Sequence, residues 1–375
     1  MSRNILLANP WIYDFSAYDC WNKPIGLLFL ASLLRMNGET VYYLDCLDPT
    51  HPGMQAVGQG RAVKRQLSGA GNYPKERIPK PAPLRQIPRN YNRYGVKPEM
   101  VRRYISSLPV PDLVMITSMM TYWYPGVFDF IALVRESLPG VPVVLGGNYV
   151  TLCPDHAARS GADILLPGPA ERSLPGLFKD LYNRDLEWIP DSGDLDTHPY
   201  PAFDLIPHPV HVPIMTSRGC PYSCSYCASG ILNPRFLRRD PLRVADEISY
   251  WHSRLGIRHF SFYDDALLVN PGEMAIPLLK EIVRRALPVQ FHCPNGLHLR
   301  EISPEISALL YKAGFRTIRF GFETADPARQ VATGAKVDNA ALKEAVLNLH
   351  NAGYRDSDIG IYLLCGLPVS IGIES

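Results

Sequence analysis

No stretch of this sequence is apolar for long enough to cross a bilayer. The longest apolar run, Ile25 to Leu34, has ten residues, where a spanning helix needs about twenty. That run also sits behind Asp14 and Asp19, wrongly placed for a signal peptide. Neither sign of charge is in excess, since 38 Lys and Arg against 36 Asp and Glu leave +2, which excludes a uniformly acidic or basic chain. Cysteine is scarce, eight in 375 residues, and so sparse a set excludes a secreted disulfide scaffold. A cytoplasmic protein with reduced thiols and no membrane span is expected. Apolar residues are plentiful: 46% of the chain is hydrophobic and 10% aromatic, which excludes disorder and supplies a sizeable core. Proline is abundant at 35 residues, about twice the usual share, and predicts many loops.

The first half alternates β-branched runs with helical patterns. Strands are predicted at 4–9, 40–45, 112–117, 141–145 and 163–166, with helices at about 24–37, 125–138, 154–160 and 171–183. This is the pattern of an open, Rossmann-like parallel α/β domain over residues 1–183. Such sheets take ligands at the carboxyl ends of their strands, which brings forward Asn9, Thr117, Ser118, Gly146, Gly147, Gly168 and Glu171. Ordinary turn chemistry explains the same glycines equally well.

Residues 49–103 form a Pro-rich insertion, expected to be extended and partly irregular. From 61 to 103 it holds twelve Lys and Arg against Glu76 and Glu99, a local excess of ten positive charges. Such a loop either meets phosphates or an acidic substrate or is a solvated surface. No nucleic-acid motif accompanies it, and no nucleic-acid partner is expected. Trp21 and the run Tyr122-Trp123-Tyr124 are expected to be core. Residues 184–212 read as a linker. Beyond it, predicted strands at 214–217, 260–263, 290–293, 317–322 and 359–364 alternate with helices near 241–255, 273–286, 304–313 and 338–352. That is a partial (β/α) TIM-like barrel over 213–375, whose active face carries the loops after the strands.

The loop after its first strand holds Cys220, Cys224 and Cys227 in C-x3-C-x2-C spacing. Thiolates so crowded form a metal site, for zinc or an iron–sulfur cluster. A closed zinc site wants a fourth Cys or His at its own short spacing, and the next histidines, His252 and His259, fall on a predicted helix and strand. Three ligands suit a four-iron cluster with one open iron. A zinc knuckle in an interaction protein that uses the basic insertion stays as the alternative.

This spacing, with Tyr226 just before the last cysteine and a partial barrel around it, resembles the radical S-adenosylmethionine enzymes. The resemblance implies a [4Fe-4S] cluster on Cys220, Cys224 and Cys227, with S-adenosylmethionine bound at the open iron and cleaved to a 5′-deoxyadenosyl radical. It further implies an electron donor such as flavodoxin or ferredoxin. By the same resemblance Tyr226 lies against the adenine, and Asp264 and Asp265 bind the methionine amino group, unless one of them caps the following helix. Asn295 lines the pocket, Glu323 contacts S-adenosylmethionine, and Gly366 and Pro368 run beside the nucleoside. Cys293 is read as a packed thiol.

The α/β domain ahead of the barrel resembles the cobalamin-binding domain of the B12-dependent radical enzymes, with Asn9, Thr117, Ser118, Gly146, Gly147, Gly168 and Glu171 around the corrinoid. The Asp-x-His-x-x-Gly motif that supplies a cobalt-ligating histidine in corrinoid methionine synthases is absent, Asp45 and His51 having the wrong spacing. Cobalamin is therefore expected to bind without that histidine. The implied reaction is methylation of an unactivated carbon or phosphorus centre in a small-molecule substrate. Rearrangement or cyclisation without functional cobalamin is the alternative. Only seven residues follow Pro368, so the last barrel strand is expected to be missing.

Overall fold

The six residues Asn4–Asn9 bury five of their side chains and become β1, the centre of a five-stranded parallel sheet. A computed structural model describes residues 2–48, 50 and 63–365. They divide into two units, Met1–Ser192 with Thr197–Pro209, and Gly193–Asp196 with Val210–Ser375. In the first, β2 (Thr40–Asp45), β3 (Leu113–Ile116), β4 (Val143–Gly146) and β5 (Ile164–Leu166) join β1 in the order β5-β4-β3-β1-β2. Strands covered on both faces read as continuous apolar runs, as LVMI of β3 does. The order reverses direction at β1, whose neighbours β2 and β3 lie on opposite sides. A crevice opens at such a reversal, at the carboxyl ends of β1 and β3.

Helices α1 (Ile25–Met36), α2 (Pro98–Ser107), α3 (Tyr124–Ser137) and α4 (Ala170–Tyr182) complete this unit. The helix expected at 154–160 is only Pro154–Ala157, continued by a 3-10 turn that Gly161 ends at a φ of 84°. The insertion is more ordered than its proline content suggests. Asn92–Tyr94 pairs with Ile12–Asp14 on one side and Lys75–Arg77 on the other in a small antiparallel sheet. Residues 98–107 are the helix α2, which turns Met100, Val101 and Ile105 to the core. His51 and Arg61 lie outside the described residues. Trp21 is buried and donates its indole N–H to Ser68 O, whereas Tyr122 is exposed. Of the expected linker, residues 184–192 and 197–209 belong to this unit: Asn37 bonds Trp188 N–H, Leu28 O accepts from Ala202 N–H, and Phe203 is fully buried.

The second unit carries β6 (His211–Ile214), β7 (His259–Phe262), β8 (Gln290–His292), β9 (Phe315–Glu323) and β10 (Ile359–Leu363), parallel and in chain order. Between them run α5 (Pro241–Leu255), α6 (Ala275–Arg285), α7 (Pro304–Ala313) and α8 (Asn339–Ala352). Strands in sequential order with helical crossovers make the arc of a partial β/α barrel. Its first strand begins three residues earlier than the sequence suggests. Pro213 disguised it, and proline is tolerated here because β6 is an edge strand. Asp240, Ser303 and Asp338 cap α5, α7 and α8 through their side chains, and Gly256, Gly314 and Gly353 end the same helices in the left-handed region. Phe262 and Phe291 both stack on Phe315, at ring-centre distances of 5.3 and 5.0 Å, and fill the space behind the strands.

One buried ion pair ties α5 to the segment before it. Glu247, 2% exposed, accepts from the Arg239 guanidinium, which also bonds Met215 O and Asp196. Burial pushes the Glu247 carboxyl up, and the guanidinium opposes that shift. Removing one partner of such a pair strands the other. Glu247→Ala is therefore expected to lower unfolding free energy by about 3–5 kcal/mol in a denaturant titration. A loss below about 1 kcal/mol, the surface-pair range, would mean the pair is solvated.

Candidate functional site

The cysteine loop is launched by a carboxylate. After β6, Thr216 and Ser217 each give their backbone N–H and their hydroxyl to Oδ1 of Asp264, at 2.6 to 2.9 Å. Asp264 lies two residues past the end of β7 and is 4% exposed. Burial raises its pKa and the four hydrogen bonds oppose that shift. Its other oxygen, Oδ2, is buried with no partner among the described residues. Ser217–Arg218 then pairs with Leu237–Arg238 and closes the base of the loop. Gly219 adopts a φ of 85°, and a Cβ there would stand 2.6 Å from Arg235 O, so only glycine fits.

Above that base the three cysteines are free thiols, Cys220 and Cys224 half-buried and Cys227 exposed. Cys46 and Cys293 differ in being buried, with burial pushing both thiols up. Cys227 donates to Ser229 Oγ at 3.3 Å, and the Ser229 hydroxyl donates to Asp265 Oδ2 at 3.0 Å. Burial raises the Asp265 carboxyl while Ser229 opposes it. The backbone of Cys224 packs under Gly334, where a Cβ would come within 3.3 Å of Cys224 Cα. Ser225 N–H donates to Thr333 O nearby. Burial, then the Glu323 carboxylate, then Cys224, hold the Tyr226 phenol far above its ordinary range.

Glu323 sits at the end of β9 with a φ of 71°, where the register with β10 slips. Its carboxylate converges with the Lys336 ammonium over Gly321, where a Cβ would meet Glu323 Oε1 at 2.9 Å and Lys336 Nζ at 3.2 Å. Asn295 donates to Tyr263 O at 3.0 Å, which holds its amide at the end of β8. Gly296 lies against the Gly321 backbone, a Cβ there reaching Gly321 N at 2.4 Å. Tyr226, Asp264, Asp265, Asn295 and Glu323 thus belong to the strand-end loops of one barrel face. Gly366 and Pro368 lie outside the described residues.

Sequence reasoning missed Lys336, Ser229 and the Tyr222–His298 pair. Tyr222 stacks on His298 at 4.8 Å, and burial followed by the Lys336 charge takes that imidazole down to about 4. Lys336 stands in the loop after the fourth barrel strand, two residues past Gly334, and strand-end position was the available signal.

In the first unit the residues brought forward by sequence gather at the carboxyl edge of the sheet. Asn9 donates to Asp45 Oδ1 at 2.8 Å, and Leu47 N–H bonds the same oxygen. Burial raises the Asp45 carboxyl, opposed first by the Lys23 ammonium. Thr117 N–H donates to Ala8 O, and the Ser118 hydroxyl to Gly146 O at 2.6 Å. Gly147 has a φ of 95° and so little room that a Cβ would lie 2.2 Å from Ser118 O. Gly168, at a φ of 75°, instead faces open space, with no atom within 4 Å of where a side chain would start. Thr151, overlooked in the sequence, accepts from Gly168 N–H at 2.8 Å, and Glu171 lies in the first turn of α4. Of these residues Gly168 is the one that faces open space, while Ser118 and Gly147 are packed against each other.

Three free thiols on one glycine-launched loop have the donor chemistry of an iron–sulfur cluster, although among the described residues no three His, Cys, Asp or Glu side chains are already gathered to hold a metal ion. Comparison with known proteins bears on both units. The family model for the radical SAM superfamily matches residues 214–370, and that for the B12 binding domain matches residues 91–178. An uncharacterized methyltransferase of Pyrococcus horikoshii is 26% identical over 245 residues, 58% of this chain and 52% of its own length. The hopanoid C-2 methylase of Rhodopseudomonas palustris is 29% identical over 203 residues, 50% of this chain and 37% of its own. The chain thus spans about half or less of these relatives. The structure of the radical S-adenosylmethionine methyltransferase TsrM from Kitasatospora setae, with cobalamin and a [4Fe-4S] cluster bound, superposes with a TM-score of 0.69. It covers 98% of this chain and 70% of its own at 18% identity, a likeness of fold.

If the Asp264 carboxylate sets the loop, Asp264→Ala should destabilise the protein by about 3 kcal/mol or more, since it leaves four donors unpaired. Asp264→Asn keeps an acceptor and should cost clearly less. Equal losses for the two variants in chemical denaturation would show that the acceptor oxygen is immaterial.

Proposed function

The chain belongs to the radical SAM superfamily, in its B12-binding class, and from that premise we propose that it methylates an unactivated carbon or phosphorus centre of a small molecule. The observation that carries the reading is the loop of Cys220, Cys224 and Cys227, three free thiols at the carboxyl end of a barrel strand. We assign them to a [4Fe-4S] cluster whose fourth iron is left for S-adenosylmethionine. When bound, these groups supply reductive cleavage of S-adenosylmethionine, and cobalamin supplies a transferable methyl group.

The chain's own residues bind and orient. Asp265 is a part-buried carboxylate that reaches Cys227 through Ser229, and its raised pKa makes an arriving ammonium a favourable partner. Asp264 keeps one buried oxygen uncommitted beside it. Tyr226 offers a ring for stacking on a base, with Glu323 holding its hydroxyl. Asn295, fixed through Tyr263 O, keeps its amide oxygen for a donor on the ligand. Asn9, Thr117, Ser118, Gly146, Gly147, Gly168 and Glu171 form the proposed corrinoid rim. Residues 1–183 are then the cobalamin domain and 213–375 the radical domain, joined by 184–212. A reduced flavodoxin or ferredoxin is the expected electron source.

Anaerobic reconstitution tests the radical reading. About four irons with matching sulfide per chain, and formation of 5′-deoxyadenosine on reduction with S-adenosylmethionine, are expected, and Cys224→Ala should lose both. One zinc per chain with no cleavage would overturn it. The corrinoid reading has its own measurement, cobalamin retained after purification from a B12-supplied culture. Gly168→Val, which fills the open space, should reduce retention with iron content unchanged. A folded, cluster-bearing protein that retains no corrinoid would defeat the methyl-transfer proposal alone.

A further inference from the structure

The Pro-rich insertion carries an open, basic depression on its surface. A cavity of about 560 Å³ is lined by Arg77, Ile78, Pro79, Lys80, Arg85 and Tyr91. Its size lies within the range of small-molecule sites. Five of the six residues precede residue 91, where the B12 binding match begins, and Tyr91 is its first residue.

The cup is built rather than incidental. Pro79, Pro81, Pro83 and Pro88 stiffen the segment that forms its wall. Ile78 N–H bonds Tyr91 O at 3.0 Å, and Lys80 Nζ donates to Ile87 O, closing the loop upon itself. The floor is Tyr91, 4% exposed, whose hydroxyl donates to Tyr13 O and whose ring meets Phe15 edge-on at 5.2 Å. Ile78 packs on the main core.

Its charge is one-sided. Three cations line it and no carboxylate does. Elsewhere in the insertion some cations are paired, Arg93 with Glu76, Arg65 with Asp19 and Arg102 with Glu136. Arg77, Lys80 and Arg85 have no ion pair among the described residues. The carboxylates nearest the floor, Asp14 and Asp129, are hydrogen-bonded to Trp123 and Tyr13. Two guanidinium forks and an ammonium above an apolar, aromatic floor match an anion that carries a flat or apolar body.

We propose that this cup binds an organic anion, recognised through its carboxylate or phosphate groups by Arg77, Lys80 and Arg85 and through its apolar body by Tyr91 and Ile78. Isothermal titration of the reconstituted full chain with two probes, inorganic pyrophosphate and naphthalene-2,6-dicarboxylate, tests it. Saturable binding of one or both is expected, weakened about tenfold or more in Arg77→Ala/Arg85→Ala. Stronger binding of pyrophosphate would identify a phosphate-bearing ligand, and of the dicarboxylate a carboxylate with a ring. Arg85→Lys, which keeps charge but loses the fork, should fall between. Binding of neither probe, or affinities unchanged in the double variant with circular dichroism and iron content intact, would overturn the proposal.

Discussion

The site in the second unit depends on one buried carboxylate. Asp264 gathers the N–H and hydroxyl groups of Thr216 and Ser217 on a single oxygen. Those four bonds decide how the chain leaves β6, and every cysteine follows within the next eleven residues. A loop this rich in small residues has little apolar surface of its own to fix it. Its geometry must come from polar anchoring at its root, and burying the anchor strengthens each bond by removing competing water. Asp264 and its neighbour Asp265 have separated roles for the same reason. The first points into the protein and sets the backbone, while the second reaches the cysteine loop through Ser229.

Above the anchor, glycine does work that side chains cannot. Gly219 turns the chain at positive φ, Gly296 and Gly321 bring two strand ends into backbone contact, and Gly334 lets the loop after the fourth barrel strand lie on Cys224. The first unit shows both uses of glycine on one edge. Gly147 is a packing glycine pressed on Ser118, and Gly168 is a clearance glycine facing open space.

Much of this was legible in the sequence because the signals were local. Apolar runs gave the strands of both sheets, and the cysteine spacing gave the loop. The failures have physical causes. Pro213 hid β6, because a proline in an apolar run argues against a central strand and the edge position is not visible in sequence. The helix Pro98–Ser107 was hidden by the prolines before it, although Met100, Val101 and Ile105 carried its period. Lys336, Ser229 and the Asp264 anchor are tertiary facts. Asp264 meets residues 47 and 48 positions away, and no window of sequence reports that a carboxylate at the end of one strand will accept from the turn after another.

The overall charge of +2 is a further case in which a global number conceals the relevant distribution. The insertion carries an excess of ten positive charges and the rest of the chain a compensating excess of acids. Within the insertion part of that charge is already engaged. Arg65 serves Asp19, Arg93 serves Glu76, and Lys75 lies over the Tyr94 ring. Among the cations with no ion pair among the described residues, Arg77, Lys80 and Arg85 line one cavity where four prolines fix the backbone. Ordering flexible cations around an anion costs side-chain and chain entropy, and a wall already stiffened by proline and closed by the Lys80 bond has met part of that cost on folding. A charge count alone would therefore mark the whole insertion as a solvated surface. A shared cavity and a proline-stiffened wall single out Arg77, Lys80 and Arg85 as the portion shaped to recognise something.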